Sequence, residues 1–282
     1  MAIMQTTLNI QDIVNVERYH IGNSHAAERQ SLVEGFRKDL WDNNYCVLSD
    51  FVRPAALTAM ADEAKGLQEK GYHNNALRNC YLHRQQDASF PHDHARNLQD
   101  RSSTRMIAFD QIATESPLKR FYTDDGVRSF IADVVGEGEL FGNEDPYQPA
   151  NYVCYEDGDE SSWHFDADNS FTMTLMIQPA DLGGNFEMSP NTRTDGDQQY
   201  DKVADVLNAS NGNEVISVGR EAGAVCLFRG CNSLHRVTPV SGDVLRIMGV
   251  FVYETSPGVR GDAEVNATIY GPRVAQNGNA ET

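Results

Sequence analysis

From about Asp145 onward the chain is cut into short apolar or alternating runs separated by Gly, Asp, Asn and Pro clusters, and this texture constrains the fold more than any other feature. The spacing predicts strands near 150–155, 162–167, 171–178, 184–188, 214–218, 223–228, 234–238 and 243–254. So many short strands in so little chain suit a double-sheet jelly roll, the double-stranded β-helix. The stretch 189–213, rich in Asn, Asp, Gly and Gln, reads as an insertion between strands. No internal repeat or low-complexity tract interrupts the pattern.

The first half of the chain has a different period. Leu32, Val33, Phe36 and Leu40 recur at helical spacing over 25–41, with Ser24 placed to cap the helix. Tyr45-Cys46-Val47-Leu48, between turn formers, predicts a short strand. Pro54 opens a second helix that runs to about Lys70 and stops at Gly71, because Pro at the first helical position leaves unpaired only an N–H that has no partner anyway. Another helix is expected over 117–135, closed by Gly136. Between them, 72–103 is polar and weakly periodic, which predicts a long loop serving as a lid. The expectation is one domain over 1–282. A mainly helical part with the lid segment (1–140) would buttress a jelly-roll core (141–282), giving an α+β chain with an all-β core.

Charge excludes some partners. With 23 Lys and Arg against 41 Asp and Glu, the net charge is −18, and no basic run is present to neutralise a phosphate backbone or an anionic membrane. Neither a nucleic acid nor a membrane is therefore expected as partner; a small molecule is. No apolar stretch approaches the ~20 residues that span a bilayer, and the first residues lack a signal-peptide layout, so a soluble cytoplasmic protein is expected. Cys46, Cys80, Cys154, Cys226 and Cys231 include no C-x-x-C pair and suggest buried or inert thiols.

The chemistry concentrates in Trp163-His164-Phe165-Asp166. Side chains alternate along a strand, so His164 and Asp166 fall on one face. His235 supplies a third donor from another strand of the same sheet system. Two His and one carboxylate form the facial triad of non-haem Fe(II) oxygenases, which leaves coordination positions open. Arg246 follows inside the apolar run Val244 to Val252, where a buried guanidinium must find an anion or cost several kcal/mol. Its partner is either a structural Asp or Glu or the distal carboxylate of a bound dicarboxylate.

His164-x-Asp166, Gly183-Gly184-Asn185-Phe186-Glu187, Leu227-Phe228-Arg229-Gly230, His235-Arg236-Val237-Thr238-Pro239-Val240 and Arg246 together resemble the Fe(II)/2-oxoglutarate-dependent oxygenases over roughly 145–255. The G-G-x-F-E and S-L-H-R-V phrases are most similar to the carrier-independent amino-acid halogenases and their hydroxylase relatives. The resemblance implies that His164, Asp166 and His235 ligate Fe(II), that Arg246 clamps 2-oxoglutarate, and that O2 is the second co-substrate. It implies a dioxygenase hydroxylating an unactivated C–H bond of a small polar metabolite, a free amino acid or derivative, with succinate and CO2 as co-products. Two departures stand out. The halogenases carry Gly or Ala where Asp166 stands, which favours hydroxylation here, and Met248 stands where many relatives place a Ser to share the co-substrate carboxylate. Thr172 or Thr174 is the candidate replacement hydroxyl.

Asn151 and Tyr155, on one face of their strand, are further candidates for the co-substrate side, with cross-strand packing as the alternative. Trp163 and Arg236 should point away from the metal, while His92-Asp93-His94 reads as a solvated lid cluster beside Arg78 and Arg96, which are candidate contacts for a substrate carboxylate. A non-catalytic jelly-roll binding protein and a zinc hydrolase remain the alternatives.

Overall fold

A computed structural model describes residues 8–166, 171–209 and 215–275. The predicted jelly roll is present as two facing antiparallel sheets. The larger sheet orders its strands Tyr45–Leu48, Val225–Phe228, Thr172–Gln178, Arg246–Phe251, Ala150–Tyr155, Gln99–Ile107 and Tyr72–Asn79. The smaller sheet orders Ile216–Ser217, Phe186–Ser189, Leu234–Val237 and Ser161–His164. From Ala150 onward the chain passes back and forth between the two sheets, which is how a jelly roll closes its core, while the first three strands extend the larger sheet.

Strand alternation divides the larger sheet chemically. On the outer face Tyr152, Cys154, Met173, Leu175, Ile177, Ile247 and Phe251 join the helices in one apolar cluster with Phe51, Phe121 and Phe130. Val153, Tyr155, Met176, Cys226, Phe228 and Met248 face inward, toward Phe186, Met188 and Val237 of the smaller sheet. The helix Pro54–Leu67 buries Ala56, Leu57, Met60, Ala61 and Ala64, a stripe at helical spacing, against the outer face. Pro54 occupies its first turn, and a single 3-10 turn, Gln68–Lys70, ends it before Gly71.

Several expectations need correction. The segment 72–103 is not one long loop: Tyr72–Asn79 and Gln99–Ile107 pair over eight residue positions, from Tyr72 with Met106 to Asn79 with Gln99, and extend the larger sheet at its edge. Few of these residues are β-branched, so the strands rest on backbone pairing rather than propensity, and only 80–98 remains irregular. The expected helix over 117–135 is two helices, Pro117–Thr123 and Asp125–Val135. Asp124 breaks it, because its carboxylate accepts the Val127 N–H at 2.9 Å and starts a new helix. Ser24 does not cap; the helix spans Ala27–Asn43 from an Ala26 cap and ends on Asn44 in the left-handed region (φ +64°). The insertion contains a helix, Tyr200–Leu207, and the helices Ala263–Tyr270 and Pro272–Ala275 follow the last strand. Parts of the expected strands 162–167 and 214–218 lie outside the described residues.

Candidate metal and co-substrate site

Register brings the candidate metal ligands together. His235 pairs directly with His164 across the smaller sheet, and their ring centroids stand 4.3 Å apart. Asp166 lies just past the end of its strand, anchored by its N–H donating to the Gly230 carbonyl at 3.1 Å. Its Oδ1 is 3.8 Å from His164 Nε2 and 3.5 Å from His235 Nε2. Among the described residues this is the group of three donors whose ligand atoms all lie within 4.8 Å of one another.

The surroundings orient each donor. His164 Nδ1 meets the Ser162 carbonyl at 2.7 Å, and His235 Nδ1 meets the Ser233 carbonyl at 2.9 Å. A carbonyl only accepts, so each Nδ1 carries the proton and each Nε2 presents its lone pair to the shared space. Thr172 donates to Asp166 Oδ2 at 2.5 Å, leaving Oδ1 toward the imidazoles. Burial, then the neighbouring His235 and Arg78, pulls the His164 pKa down to about 3, so the ring is held neutral. Burial opposes a charged Asp166, yet the two imidazoles and the Thr172 hydroxyl together hold its carboxyl below the usual range. Two imidazoles and a carboxylate form a set of hard and borderline donors suited to Fe(II).

Two glycines of the quoted phrases make room for these groups. A Cβ on Gly230 would lie 2.0 Å from Asp166 Oδ2 and 2.9 Å from Thr172 Oγ1. Gly184, at φ +63°, would place a Cβ 2.6 Å from Arg246 Cδ. Instead its carbonyl accepts Arg246 Nε at 3.0 Å.

Arg246 is 1% exposed, and its two terminal nitrogens are sealed from solvent with no hydrogen-bond partner. Its guanidinium carbon sits 4.8 Å from the centre of the Tyr155 ring, which is its register partner. No carboxylate pairs with it among the described residues, and burial lowers its pKa to about 10. The structural Asp or Glu considered for this arginine is therefore absent among the described residues. A planar fork of orphaned donors beside a metal triad fits the far carboxylate of a dicarboxylate that chelates the metal.

The other candidates separate. Asn151 lies opposite Val250, in one row with Thr174 and about 13 Å along the strand from Tyr155; its Nδ2 donates to the Gln148 carbonyl at 2.7 Å, and its buried Oδ1 has no hydrogen-bond partner. Thr172 serves Asp166, and Thr174 accepts a hydrogen bond from Arg220 Nη1 at 2.9 Å. Trp163 packs with Phe165 and Leu234, while Arg236 covers its ring and pairs with Glu187. His94 stacks on Phe90 at 4.4 Å and meets Tyr200 at 4.6 Å, which docks the 80–98 segment onto the insertion helix. Arg96 is engaged by Asp87 at 3.1 Å, whereas the buried Nε of Arg78 has no partner.

A family model described as halogenase D matches residues 28–270. The chain belongs to the halogenase D family. Its match spans the helical buttress, both sheets and all of the triad. No curated protein matches the sequence. Solved structures with the same fold include an oxidoreductase of the 2OG-Fe(II) oxygenase family from Burkholderia pseudomallei, at 15% identity and TM-score 0.50, covering 80% of this chain and 92% of that one. A prolyl hydroxylase from Trichoplax adhaerens, in complex with a hypoxia inducible factor peptide, matches at 16% identity and TM-score 0.52, over 80% and 90%. The epimerase SnoN, in complex with Fe3+ and alpha ketoglutarate, matches at 11% identity and TM-score 0.51, over 82% and 93%. This halogenase D family member thus has the 2-oxoglutarate-Fe(II) oxygenase fold, and its own donors fit iron and 2-oxoglutarate. Among its described residues no helix is long and apolar enough to cross a membrane.

Sequence reasoning missed Arg220, whose Nε and Nη2 are sealed and unpartnered. Gly219-Arg220-Glu221 reads as an ordinary polar turn, and nothing in the sequence marks its direction.

Proposed function

We propose that the protein is an Fe(II)/2-oxoglutarate-dependent hydroxylase of a small polar metabolite carrying a carboxylate, with a free amino acid as the leading class. His164, Asp166 and His235 would hold iron, and Arg246 with Tyr155 would hold the far end of 2-oxoglutarate. When bound, this pair couples oxidative decarboxylation, to succinate and CO2, to oxidation of a substrate C–H bond by dioxygen. The chain's own work is placement. The two backbone carbonyls hold the imidazoles in the correct tautomer, and Thr172 fixes the carboxylate.

The observation that carries hydroxylation is the Asp166 carboxylate, seated among both imidazoles and given its space by Gly230. A halide needs the coordination position that this carboxylate would occupy. Arg78 supports a carboxylate-bearing substrate: Ser102 Oγ and Ser161 Oγ accept from its Nη2 at 2.8 and 3.4 Å, its Nε is buried without a partner, and its cation interacts electrostatically with both Asp166 and His164. Residues 80–98 and the helix Tyr200–Leu207, joined through Phe90, His94 and Tyr200, would cover that side.

Purified protein given Fe(II), 2-oxoglutarate and single amino acids should release succinate with its substrate and form a product heavier by one oxygen, with or without chloride. The family description favours chlorination as the second reading. A chlorine-bearing product would overturn hydroxylation, and the absence of succinate across carboxylate-bearing metabolites would overturn the substrate class.

A further inference from the structure

Arg220 stands outside every role described above. The residue is partly exposed, but Nε and Nη2 are closed off from solvent and make no hydrogen bond, and only Nη1 is used, on Thr174. Its guanidinium carbon lies 4.3 Å over the ring of Phe186, and that ring stands 5.7 Å from the ring of His235. Arg246, for its part, is fastened to the carbonyl of Gly184. The two guanidinium groups therefore contact residues two apart in sequence, Gly184 and Phe186. Both cations act against the burial that raises the Tyr155 pKa, and Arg220 disfavours charge on Arg246.

Two cations that disfavour each other's charge, with two orphaned nitrogens on each and no carboxylate paired with either among the described residues, make an unfavourable arrangement by themselves. Desolvating one unpaired guanidinium costs several kcal/mol, and a second nearby adds repulsion. A carboxylate placed between them removes both penalties, since its two oxygens offer about four acceptor sites and can take bonds from two guanidinium groups.

We propose that Arg220 is a second anchor of the co-substrate, gripping the distal carboxylate of 2-oxoglutarate together with Arg246, with Thr174 holding Arg220 in place. This rests on the reading of Arg246 as the first anchor. Arg220 thereby takes over the sharing role that Met248 is unable to fill, and it selects 2-oxo acids with a second carboxylate at the right reach.

The test is equilibrium dialysis of Mn(II)-loaded protein with two ligands: 2-oxoglutarate, and 2-oxopentanoate, which has the same chain length and no distal carboxylate. Arg220→Gln should weaken 2-oxoglutarate roughly 10- to 100-fold, the range of a charge-assisted hydrogen bond, and leave 2-oxopentanoate unchanged. Arg246→Gln should show the same selectivity. Thermal unfolding without ligand gives an independent readout: Arg220→Met, which relieves an uncompensated cation, should melt no lower than the wild type and should gain less from added 2-oxoglutarate. Unchanged 2-oxoglutarate affinity in Arg220→Gln, equal weakening of both ligands, or a lower ligand-free melting temperature in Arg220→Met would each overturn the proposal. Should Arg246→Gln also leave 2-oxoglutarate binding intact, the first anchor falls as well; if only Arg220→Gln is silent, the first anchor stands.

Discussion

The two faces of the larger sheet share strands and therefore sequence, yet they are built to opposite rules. On Arg246–Phe251, Ile247 and Phe251 point to the helices, and Arg246 and Met248 point inward. The outer face is apolar, and two phenols set against it are paired: Tyr122 donates to the Val252 carbonyl at 2.8 Å, and Tyr152 donates to Glu63 at 2.6 Å. The inner face holds Arg246 with both terminal nitrogens unpartnered, and the facing smaller sheet carries His164 and His235, with Asp166 just past its strand. Unsatisfied buried donors are destabilising. Those of Arg246 mark where a ligand completes the structure, while the outer face supplies the stability that makes such a site tolerable.

The comparison breaks most plainly at Asp166. Asp166→Gly should abolish succinate formation while circular dichroism stays native, because the carboxylate contributes to the metal and not to the core; retained turnover would remove Asp166 from the iron site. On the outer face, Phe251→Ala should cost about 3–5 kcal/mol in urea unfolding, since the ring contacts Phe121 at 4.9 Å within the apolar cluster. Its 2-oxoglutarate affinity should hold at temperatures where the variant is folded, and a large loss of affinity would mean that the faces are not separable.

Arg246→Gln reverses that pattern. It should weaken 2-oxoglutarate by roughly 100-fold, about 2.7 kcal/mol, without lowering ligand-free stability. Gly230→Ala should be milder: the added Cβ must push the Asp166 carboxylate and Thr172 aside, which should weaken Mn(II) binding by roughly tenfold, measured by calorimetry.

The smallest effect is a pH dependence confined to the outer side. Burial raises the pKa of Tyr19 and of Tyr122 to about 12. The unfolded chain ionises these phenols near pH 10, before the folded protein does, so their contribution is complete below about pH 10 and is lost as pH rises toward 12. Urea midpoints should fall over that window, and Tyr19→Phe should flatten the fall. An unaltered slope would show that Tyr19 is not a source of the alkaline sensitivity.

Much of this was legible in the chain. The alternation of His164 and Asp166 requires only the period of a strand, and the Gly and Asp punctuation after Asp145 requires only turn chemistry. Pro54 and Gly71 bracket their helix by local rules as well. The edge hairpin Tyr72–Asn79 with Gln99–Ile107 was not legible, because its residues have weak strand propensity and its stability comes from a ladder between segments far apart in sequence. Asn151 shows the limit of pattern reading: periodicity assigned its face, but only register against the Arg246 strand places it in the row of Val250 and Thr174, four residues from Tyr155.

The sequence by itself therefore determined the fold class, the order of the strands' chemistry and the three candidate metal donors, because these follow from short-range period and turn formation. Only the tertiary structure decided that His235 stands opposite His164, that Gly230 and Gly184 leave space for Asp166 and Arg246, and that Arg220 turns inward beside them. Those are outcomes of packing between segments tens of residues apart, where the direction of a side chain is set by what closes over it and not by its neighbours in the chain.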